Sequence, residues 1–184
     1  MIYLIRHGLD DERYIGGYSD VSLIKEGVEQ IINARNFIID KNLYITKIYS
    51  SDIKRAKETT NIINEKLKKE VIYLKDLREQ DKGLLTGLDR EIAYYKSPSF
   101  KKVTNSKTSY PNGESLQDLY NRVSIFLESL NKDNLLLVTH RGVINMIYYI
   151  LTNTPLDMDK EKFDVTHGSI HELDINKKKI KKIF

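Results

Sequence analysis

The chain has 184 residues, of which 40% are hydrophobic and 30% are charged, with only 3 prolines and 9 glycines. This composition is typical of a globular protein large enough to bury its own core, and it excludes wholesale disorder and collagen-like architectures. The lack of cysteine excludes disulfide scaffolds, thiolate metal sites and cysteine nucleophiles, and the formal net charge of +4 favours small anionic ligands over nucleic acid.

Short runs of strand-forming residues alternate with helical patterns along the chain. Strands are predicted at residues 2–5, 46–49, 71–74 and 135–138, and helices at residues 22–41, from 51 or 52 to 67, from 112–115 to 130, and 143–151. The C-terminal residues 169–175 and 179–184 alternate in polarity like two strands joined by a turn at Asn176-Lys177. This order predicts an α/β fold, a three-layer sandwich with a mainly parallel sheet, helices on both faces and an antiparallel edge. No repeat or shift in composition divides the chain, so we expect one domain over residues 1–184.

Two of the predicted strands end in a histidine. The first strand runs into Arg6-His7-Gly8 and the fourth into Thr139-His140-Arg141, while the second ends at Ser50-Ser51 with Arg55 in the next helical turn. Because the carboxyl ends of parallel strands meet at one edge of a sheet, we expect two imidazoles and up to three guanidiniums to share a ligand site there. Arginine presents forked donors that match phosphate oxygens. The sequence therefore predicts a site for a small phosphorylated compound or inorganic phosphate.

In their order along nearly the whole chain, these features resemble the histidine phosphatase superfamily, which has the phosphoglycerate-mutase-like fold. The short stretch from residue 90 to 110, where a cap would lie, favours the phosphatase branch, and we expect residues of about 80–112 to form a small cap or loop region over the site. The resemblance rests on the following positions: Leu4-Ile5-Arg6-His7-Gly8, Gly17, Asp20, Leu23, Gly27, Gln30, Ser50-Ser51-Asp52, Arg55, Ala56, Thr59, Leu77-Arg78-Glu79, Gly83, Gly87, Pro111, Gly113-Glu114-Ser115, Arg122, Val138-Thr139-His140 and Gly142-Val143-Ile144.

The resemblance implies a phosphomonoesterase that needs no metal or other cofactor. His7 would be the nucleophile that takes the phosphoryl group, and Arg6, Arg55 and His140 would hold the phosphate oxygens. Glu79 would protonate the leaving oxygen and then activate the water, a role for which Asp81 and Glu114 could compete. The alternatives are a phosphoglycerate mutase of the same chemistry and a non-catalytic protein that binds a phosphorylated ligand.

Four further residues are candidates for substrate binding. Gly8 lets the backbone approach a ligand closely, and Glu114 could contact the ligand or fix the local backbone or an arginine. Asp10 lies in an acidic loop after Gly8, where the family commonly has an asparagine. It either recognises a cationic or hydroxyl-rich part of the substrate, is solvated, or pairs with Arg6, Arg13 or Arg141. Arg141 stands where the family usually has glycine, and it either adds a phosphate donor, narrows the pocket or points to the surface.

The remaining charged residues have simpler explanations. His167 and His171 lie on or near a predicted strand, where a four-residue spacing places them too far apart to share a metal ion, although His167 can still approach the site from a neighbouring loop. The lysines from Lys177 to Lys182 are typical of a protected edge strand. We expect no membrane or nucleic-acid partner, a monomer or homodimer, and a cytoplasmic location, since the first residues lack the pattern of a signal peptide.

Overall fold

The computed structural model describes residues 1–96, 103, 105–130 and 134–184, apart from the side chains of residues 94 and 96. Residues 97–102 and 104 belong to the predicted cap, and they lie outside the described residues, as does therefore Phe100. In chain order, the strands and helices are β1 (Ile2–Arg6), α1 (Lys25–Asp40), β2 (Lys47–Ser51), α2 (Lys54–Leu67), β3 (Glu70–Leu74), α3 (Arg90–Lys96), α4 (Leu116–Ser129), β4 (Leu135–Thr139), α5 (Arg141–Thr152), β5 (Ile170–Asp174) and β6 (Lys179–Lys182), with two 3-10 turns at Lys75–Leu77 and Gly83–Leu85.

The six strands form one sheet in the order β3-β2-β4-β1-β5-β6. The first four strands of the chain pair in parallel, while β5 is antiparallel to β1 and β6 is antiparallel to β5. In this register Arg6 lies opposite Thr139, and Ser50 lies opposite Val138. The residues that follow β1, β2 and β4 therefore emerge side by side at one edge of the sheet.

The two faces of the sheet are covered by different helices. Side chains of β1 and β4 alternate between them: Leu4 and Leu137 pack with α4 and α5, whereas Ile5 and Val138 pack with α1 and α2. Both central strands are buried along their whole length, which explains their continuous aliphatic sequence. The predicted three-layer α/β sandwich is confirmed.

The prediction was less accurate at the ends of elements. Helix α1 begins three residues later than expected because Leu23 makes a short antiparallel bridge to Asp10 and is held extended. Ser51 still belongs to β2, where it pairs with Leu74, so α2 begins only at Lys54. Of the two C-terminal strands, only β6 lies at an edge, because β5 is inserted between β1 and β6. Helix α3 and the two 3-10 turns were not predicted.

Helix α4 begins with a complete capping box, as its sequence suggests. The Ser115 hydroxyl accepts from the Asp118 N–H, and the Asp118 carboxylate accepts from the Ser115 N–H. None of the helices in the described part of the chain has the length and apolar character to cross a membrane.

The packing of β4 gives a first testable prediction. Leu137 is fully buried in the middle of the sheet, so Leu137→Ala should lower the free energy of unfolding by about 2–5 kcal/mol in urea denaturation. The control is Ile125→Ala on α4, where the side chain is 68% exposed and the expected change is within about 0.5 kcal/mol. Similar losses in the two variants would contradict the assignment of Leu137 to the core.

Candidate functional site

The site lies at the carboxyl ends of β1, β2 and β4. His7 and His140 follow two neighbouring parallel strands, and their ring centroids are 5.0 Å apart. Both are almost completely buried, with 4% and 0% of their surface exposed. The two imidazoles expected to share a site therefore do so.

His7 has a defined tautomer because one of its ring nitrogens is committed to the backbone. Its Nδ1–H donates to the Gly8 carbonyl at 2.7 Å, which leaves Nε2 with a free lone pair. The Nε–H of Arg55 donates to that lone pair at 3.2 Å. Burial, followed by repulsion from Arg55, His140 and Arg6, lowers the pKa of His7 well below 6.5. Nε2 is therefore an unprotonated nitrogen at neutral pH.

Arg55 is a buried cation that the loop after β1 surrounds. Its guanidinium donates to the carbonyls of Gly17 at 2.9 Å and Ser19 at 3.3 Å, and the Asp10 carboxylate lies 3.3 Å from its Nε. Burial raises the pKa of Asp10, and attraction from Arg55 opposes that rise. Of the possibilities for Asp10, the structure shows pairing, but with Arg55 and not with Arg6, Arg13 or Arg141.

Arg6 is fixed from the opposite side by the loop before β5. Its Nη1 donates to the Val165 carbonyl at 2.7 Å, and its Nη2 lies 2.5 Å from His167 Nε2. Burial and then repulsion from Arg141 lower the pKa of Arg6 to about 10, so the guanidinium stays charged at neutral pH. Burial, followed by repulsion from Arg6, Arg141 and Arg55, lowers the pKa of His167 to about 3. Its Nε2 is therefore unprotonated and accepts a hydrogen bond from Arg6.

His140 completes the cluster of basic side chains that also contains His7, Arg6 and Arg55. Its Nε2 is 2.9 Å from the Ser51 hydroxyl at the end of β2, and burial and repulsion from Arg55 lower its pKa well below 6.5. Its Nδ1 and the Nε of Arg6 are buried, and neither has a hydrogen-bond partner among the described residues. Buried polar atoms normally have a partner, so these two atoms indicate a ligand that forms hydrogen bonds with them, and at the Arg6 Nε–H that ligand is an acceptor.

Glu79 faces this group from the loop after β3. Its two carboxylate oxygens accept from the N–H groups of Gly142 at 3.1 Å and Gln80 at 2.8 Å. Burial raises the pKa of Glu79, but attraction from His140 and Lys82 and these two hydrogen bonds outweigh it and lower the pKa to about 2. Glu79 is therefore ionised in the unliganded protein.

The loop that carries Glu79 is held by two arginines outside the cavity. Arg78 makes a two-point ion pair with Asp52, with N to O distances of 2.5 and 2.6 Å. Arg122 donates to the carbonyls of Asp76, Arg78 and Glu79, and it also pairs with Glu114 at 2.9 Å. These contacts attach the loop that carries Glu79 to α4 and to the segment between β2 and α2.

Gly8 and Glu114 contact other parts of the protein, and neither lines the cavity beside His7. A Cβ on Gly8 would lie 2.4 Å from the Gly27 carbonyl oxygen, so the close backbone approach is to α1. Glu114 accepts from the N–H of Asp81 and from Arg122, so it fixes the backbone and an arginine. Arg141 does line the cavity, where it forms an ion pair with Glu161.

The only metal-ligating type of cluster found among the described residues overlaps this site. His7, Asp10 and His167 place one possible ligand atom each within 4.8 Å of one another. The guanidinium of Arg55 already contacts His7 and Asp10, and the guanidinium of Arg6 is hydrogen-bonded to His167. Two fixed cations oppose a metal ion and attract an anion, so the cluster is poorly suited to a metal.

The sequence alone assigned no role to His167, which the structure places against Arg6 and His7. It lies 161 positions from Arg6, and nothing in its local sequence distinguishes a loop histidine that faces a site from one that does not. Its predicted approach from a neighbouring loop is confirmed, and its ring centroid is 5.5 Å from that of His7.

Comparison with known proteins extends the resemblance to the whole chain. The sequence profile of the histidine phosphatase superfamily (branch 1) matches residues 2–183. Phosphoglycerate mutase-like protein 4 of Arabidopsis thaliana is 35% identical over 159 residues, which cover 80% of this chain and 69% of that protein. The probable phosphoglycerate mutase GpmB of Escherichia coli O1:K1 is 33% identical over 134 residues, which cover 70% of this chain and 61% of that protein. The matches thus span about two thirds of the length of these relatives.

The fold has close counterparts among solved structures. The crystal structure of the alpha-ribazole phosphatase from Shigella flexneri superposes with a TM-score of 0.82, with 99% of this chain and 94% of that chain covered. The two sequences are 22% identical, so this likeness is one of fold.

The contact between His167 and Arg6 predicts a specific effect on anion binding. His167→Ala should weaken orthophosphate binding about 10-fold, measured by calorimetry, because Arg6 loses an acceptor that orients it. His167→Gln should restore most of the affinity, since its amide oxygen can accept from the same guanidinium. Equal affinities in the alanine variant and the unmodified protein would contradict this role.

Proposed function

The chain belongs to branch 1 of the histidine phosphatase superfamily, and we propose that it is a phosphoric monoester hydrolase, one that hydrolyses a small phosphorylated metabolite without a metal, through a phosphohistidine on His7. Arg6, Arg55 and His140 would bind the phosphoryl oxygens, and Glu79 would act as general acid and base. The reaction takes place in two steps that share one set of side chains.

In the first step, Nε2 of His7 attacks phosphorus while the bond from phosphorus to the ester oxygen breaks. The Nε–H of Arg55, which donates to Nε2 in the free protein, would donate instead to a phosphoryl oxygen. Glu79 is ionised in the free protein, so it first takes the proton of the substrate monoanion and then passes that proton to the departing oxygen, which leaves as an alcohol. Negative charge on the equatorial oxygens is stabilised by the guanidiniums of Arg6 and Arg55, which are almost completely buried.

In the second step, water attacks the phosphohistidine and Glu79 accepts a proton from it. The bond between Nε2 and phosphorus breaks, its electron pair returns to His7, and orthophosphate leaves. Because the Nδ1–H of His7 remains hydrogen-bonded to the Gly8 carbonyl, the ring keeps the same tautomer and orientation in both steps.

One observation carries this proposal. Two buried polar atoms without partners among the described residues, His140 Nδ1 and Arg6 Nε, belong to the same cluster of basic side chains as a neutral His7 whose Nε2 is unprotonated. With the ring proton of His140 on Nδ1, a bound phosphoryl group would accept from both atoms, and phosphorus would lie next to His7.

The names of the two relatives favour phosphoglycerate mutase as a second candidate function. A mutase returns the phosphoryl group from His7 to the bound product, whereas a phosphatase transfers it to water. Conversion of 3-phosphoglycerate into 2-phosphoglycerate would identify a mutase, while release of glycerate and phosphate would identify a phosphatase.

We propose that residues from about 80 to 112 form the cap over the site. Of these residues, Gln80, Lys82, Arg90, Val103 and Tyr110 line the cavity.

The proposed nucleophile is tested with p-nitrophenyl phosphate in the presence of EDTA. The unmodified protein should release phosphate, and His7→Ala should lower kcat by more than about 1000-fold because no phosphohistidine can form. His171→Asn, a change in a buried histidine outside the cavity, should retain turnover. Undiminished activity of His7→Ala, or activity only after a metal is added, would rule the mechanism out.

The pH dependence of kcat/KM for an alkyl phosphate tests the source of the proton. The pKa of Glu79 is about 2 in the free protein, so the proton for the leaving oxygen has to enter with the substrate monoanion, whose own pKa is about 6. We therefore expect kcat/KM to fall as the pH rises above about 6. The pKa of His7 is well below 6.5, so kcat/KM should not fall between pH ~6.5 and ~5.5. A loss of activity over that acidic interval would mean that His7 titrates like an exposed imidazole.

A further inference from the structure

The ring proton of His140 can lie on either of two nitrogens. Burial and then repulsion from Arg55 lower the pKa of His140 well below 6.5, so the ring is neutral and carries a single proton, on Nδ1 or on Nε2. The protonated nitrogen donates a hydrogen bond and the other nitrogen accepts one. The position of this proton therefore decides whether Nδ1 attracts or repels a phosphoryl oxygen.

The partner of His140 Nε2 is the hydroxyl group of Ser51. Ser51 is the last residue of β2, and His140 directly follows β4, which pairs with β2. Both side chains are fully buried. The Ser51 oxygen lies 2.9 Å from Nε2, and it accepts from the Ile53 N–H at 3.3 Å. These are the two partners that the described part of the chain offers to this hydroxyl.

The surroundings of the Ser51 hydroxyl distinguish the two forms of the ring. With the proton on Nδ1, the Ser51 O–H donates to Nε2, and the Nδ1–H alone lacks a partner among the described residues. With the proton on Nε2, the Ser51 oxygen accepts from both Nε2 and Ile53, so its own O–H lacks an acceptor and the Nδ1 lone pair lacks a donor. Because each unpaired polar group in a buried position destabilises the protein, the form with the proton on Nδ1 is favoured.

The unpaired Nδ1–H belongs to the cluster of basic side chains at His7. The two nitrogens of an imidazole face different directions, so a ring whose Nε2 is held by Ser51 directs Nδ1 away from that residue. The ring centroid of His140 is 5.0 Å from that of His7. Arg6 Nε is the other buried atom of this cluster that has no partner within the described chain. A phosphoryl oxygen can accept from an Nδ1–H, whereas an Nδ1 lone pair would repel it.

We propose that Ser51 is a positioning residue, whose hydroxyl keeps the ring proton of His140 on Nδ1 and thereby makes His140 a hydrogen-bond donor to the phosphoryl group. This role rests on the proposed phosphatase function and adds a residue to that site. Ser51 contacts Nε2, on the other side of the ring from the phosphoryl group, so it acts only through His140. Arg6 and Arg55 then supply positive charge, while the neutral His140 supplies a donor of fixed direction.

Ser50 offers a matched control, because it is also a fully buried serine in β2. Its hydroxyl donates to the Ser51 carbonyl at 2.9 Å and lies 2.8 Å from the Thr60 hydroxyl. Neither of these partners is a histidine. The same change from serine to alanine can therefore be made at two adjacent buried positions, of which only one contacts His140.

The test combines 15N NMR of the histidine rings with kinetics on p-nitrophenyl phosphate. Protonated and unprotonated ring nitrogens differ widely in 15N chemical shift, and the His140 signals are assigned by their loss in His140→Gln. We expect a protonated Nδ1 in the unmodified protein. In Ser51→Ala, Nε2 has lost its donor and the arginines near the ring favour a lone pair on Nδ1, so the proton should move toward Nε2. The loss of the Nδ1–H donor should lower kcat/KM about 10-fold.

Ser50→Ala should leave the 15N shifts of His140 unchanged and alter kcat/KM by less than about 2-fold. Equal losses of kcat/KM in the two alanine variants would mean general damage to β2 and would overturn the role of Ser51. An Nε2–H in the unmodified protein, a measurement that needs no variant, would also overturn it. So would a proton that stays on Nδ1 in Ser51→Ala, or an undiminished kcat/KM in that variant.

These outcomes are separate from a failure of the proposed function. If the unmodified protein hydrolyses no phosphate ester, the phosphatase fails, but the NMR measurement still reports the ring proton of His140. Orthophosphate binding, measured by calorimetry, then replaces kcat/KM, and Ser51→Ala should weaken it about 10-fold. Equal orthophosphate affinities in Ser51→Ala and the unmodified protein would overturn the role of Ser51.

Discussion

Two guanidinium groups buried beside two imidazoles are the constraint on which the rest of the site depends. Arg55 is 2% exposed and Arg6 is 8% exposed, and a charge removed from water at this depth requires close polar partners. Three of these partners are carbonyl groups from the loop after β1 and from the loop before β5. Among the described residues, Asp10 is the one carboxylate that forms an ion pair with either guanidinium, so two positive charges face one negative charge and the excess is available to an anion.

The same two cations determine the state of the histidines. In a buried site that already holds positive charge, a protonated imidazole is unfavourable, so His7, His140 and His167 are all neutral. Each neutral ring then has one acceptor nitrogen, and two of the three acceptors are occupied by an arginine. The unprotonated nitrogen of His7, the proposed nucleophile, and the cations that orient it are thus consequences of one electrostatic arrangement.

The sequence predicted those parts of the fold and the site that depend on short-range patterns. Alternating strands and helices identified the sheet, and histidines directly after two strands predicted that His7 and His140 would meet, since register alone brings them together. The contact of His167 with Arg6 depends on how a loop returns to the sheet, which no local pattern encodes. Asp10 illustrates the same limit, because its pairing with Arg55 follows from the path of one loop around a buried cation.

The position of β1 has a consequence for how the protein is made. It is the first strand of the chain, yet it lies inside the sheet between β4 and β5, which begin at Leu135 and Ile170. A ribosome adding about 5–20 residues per second needs roughly 6–33 s to extend the chain from β1 to those partners. For that interval the apolar segment of β1 lacks the two strands with which it pairs in the folded protein, and it is a natural substrate for a chaperone at the exit tunnel.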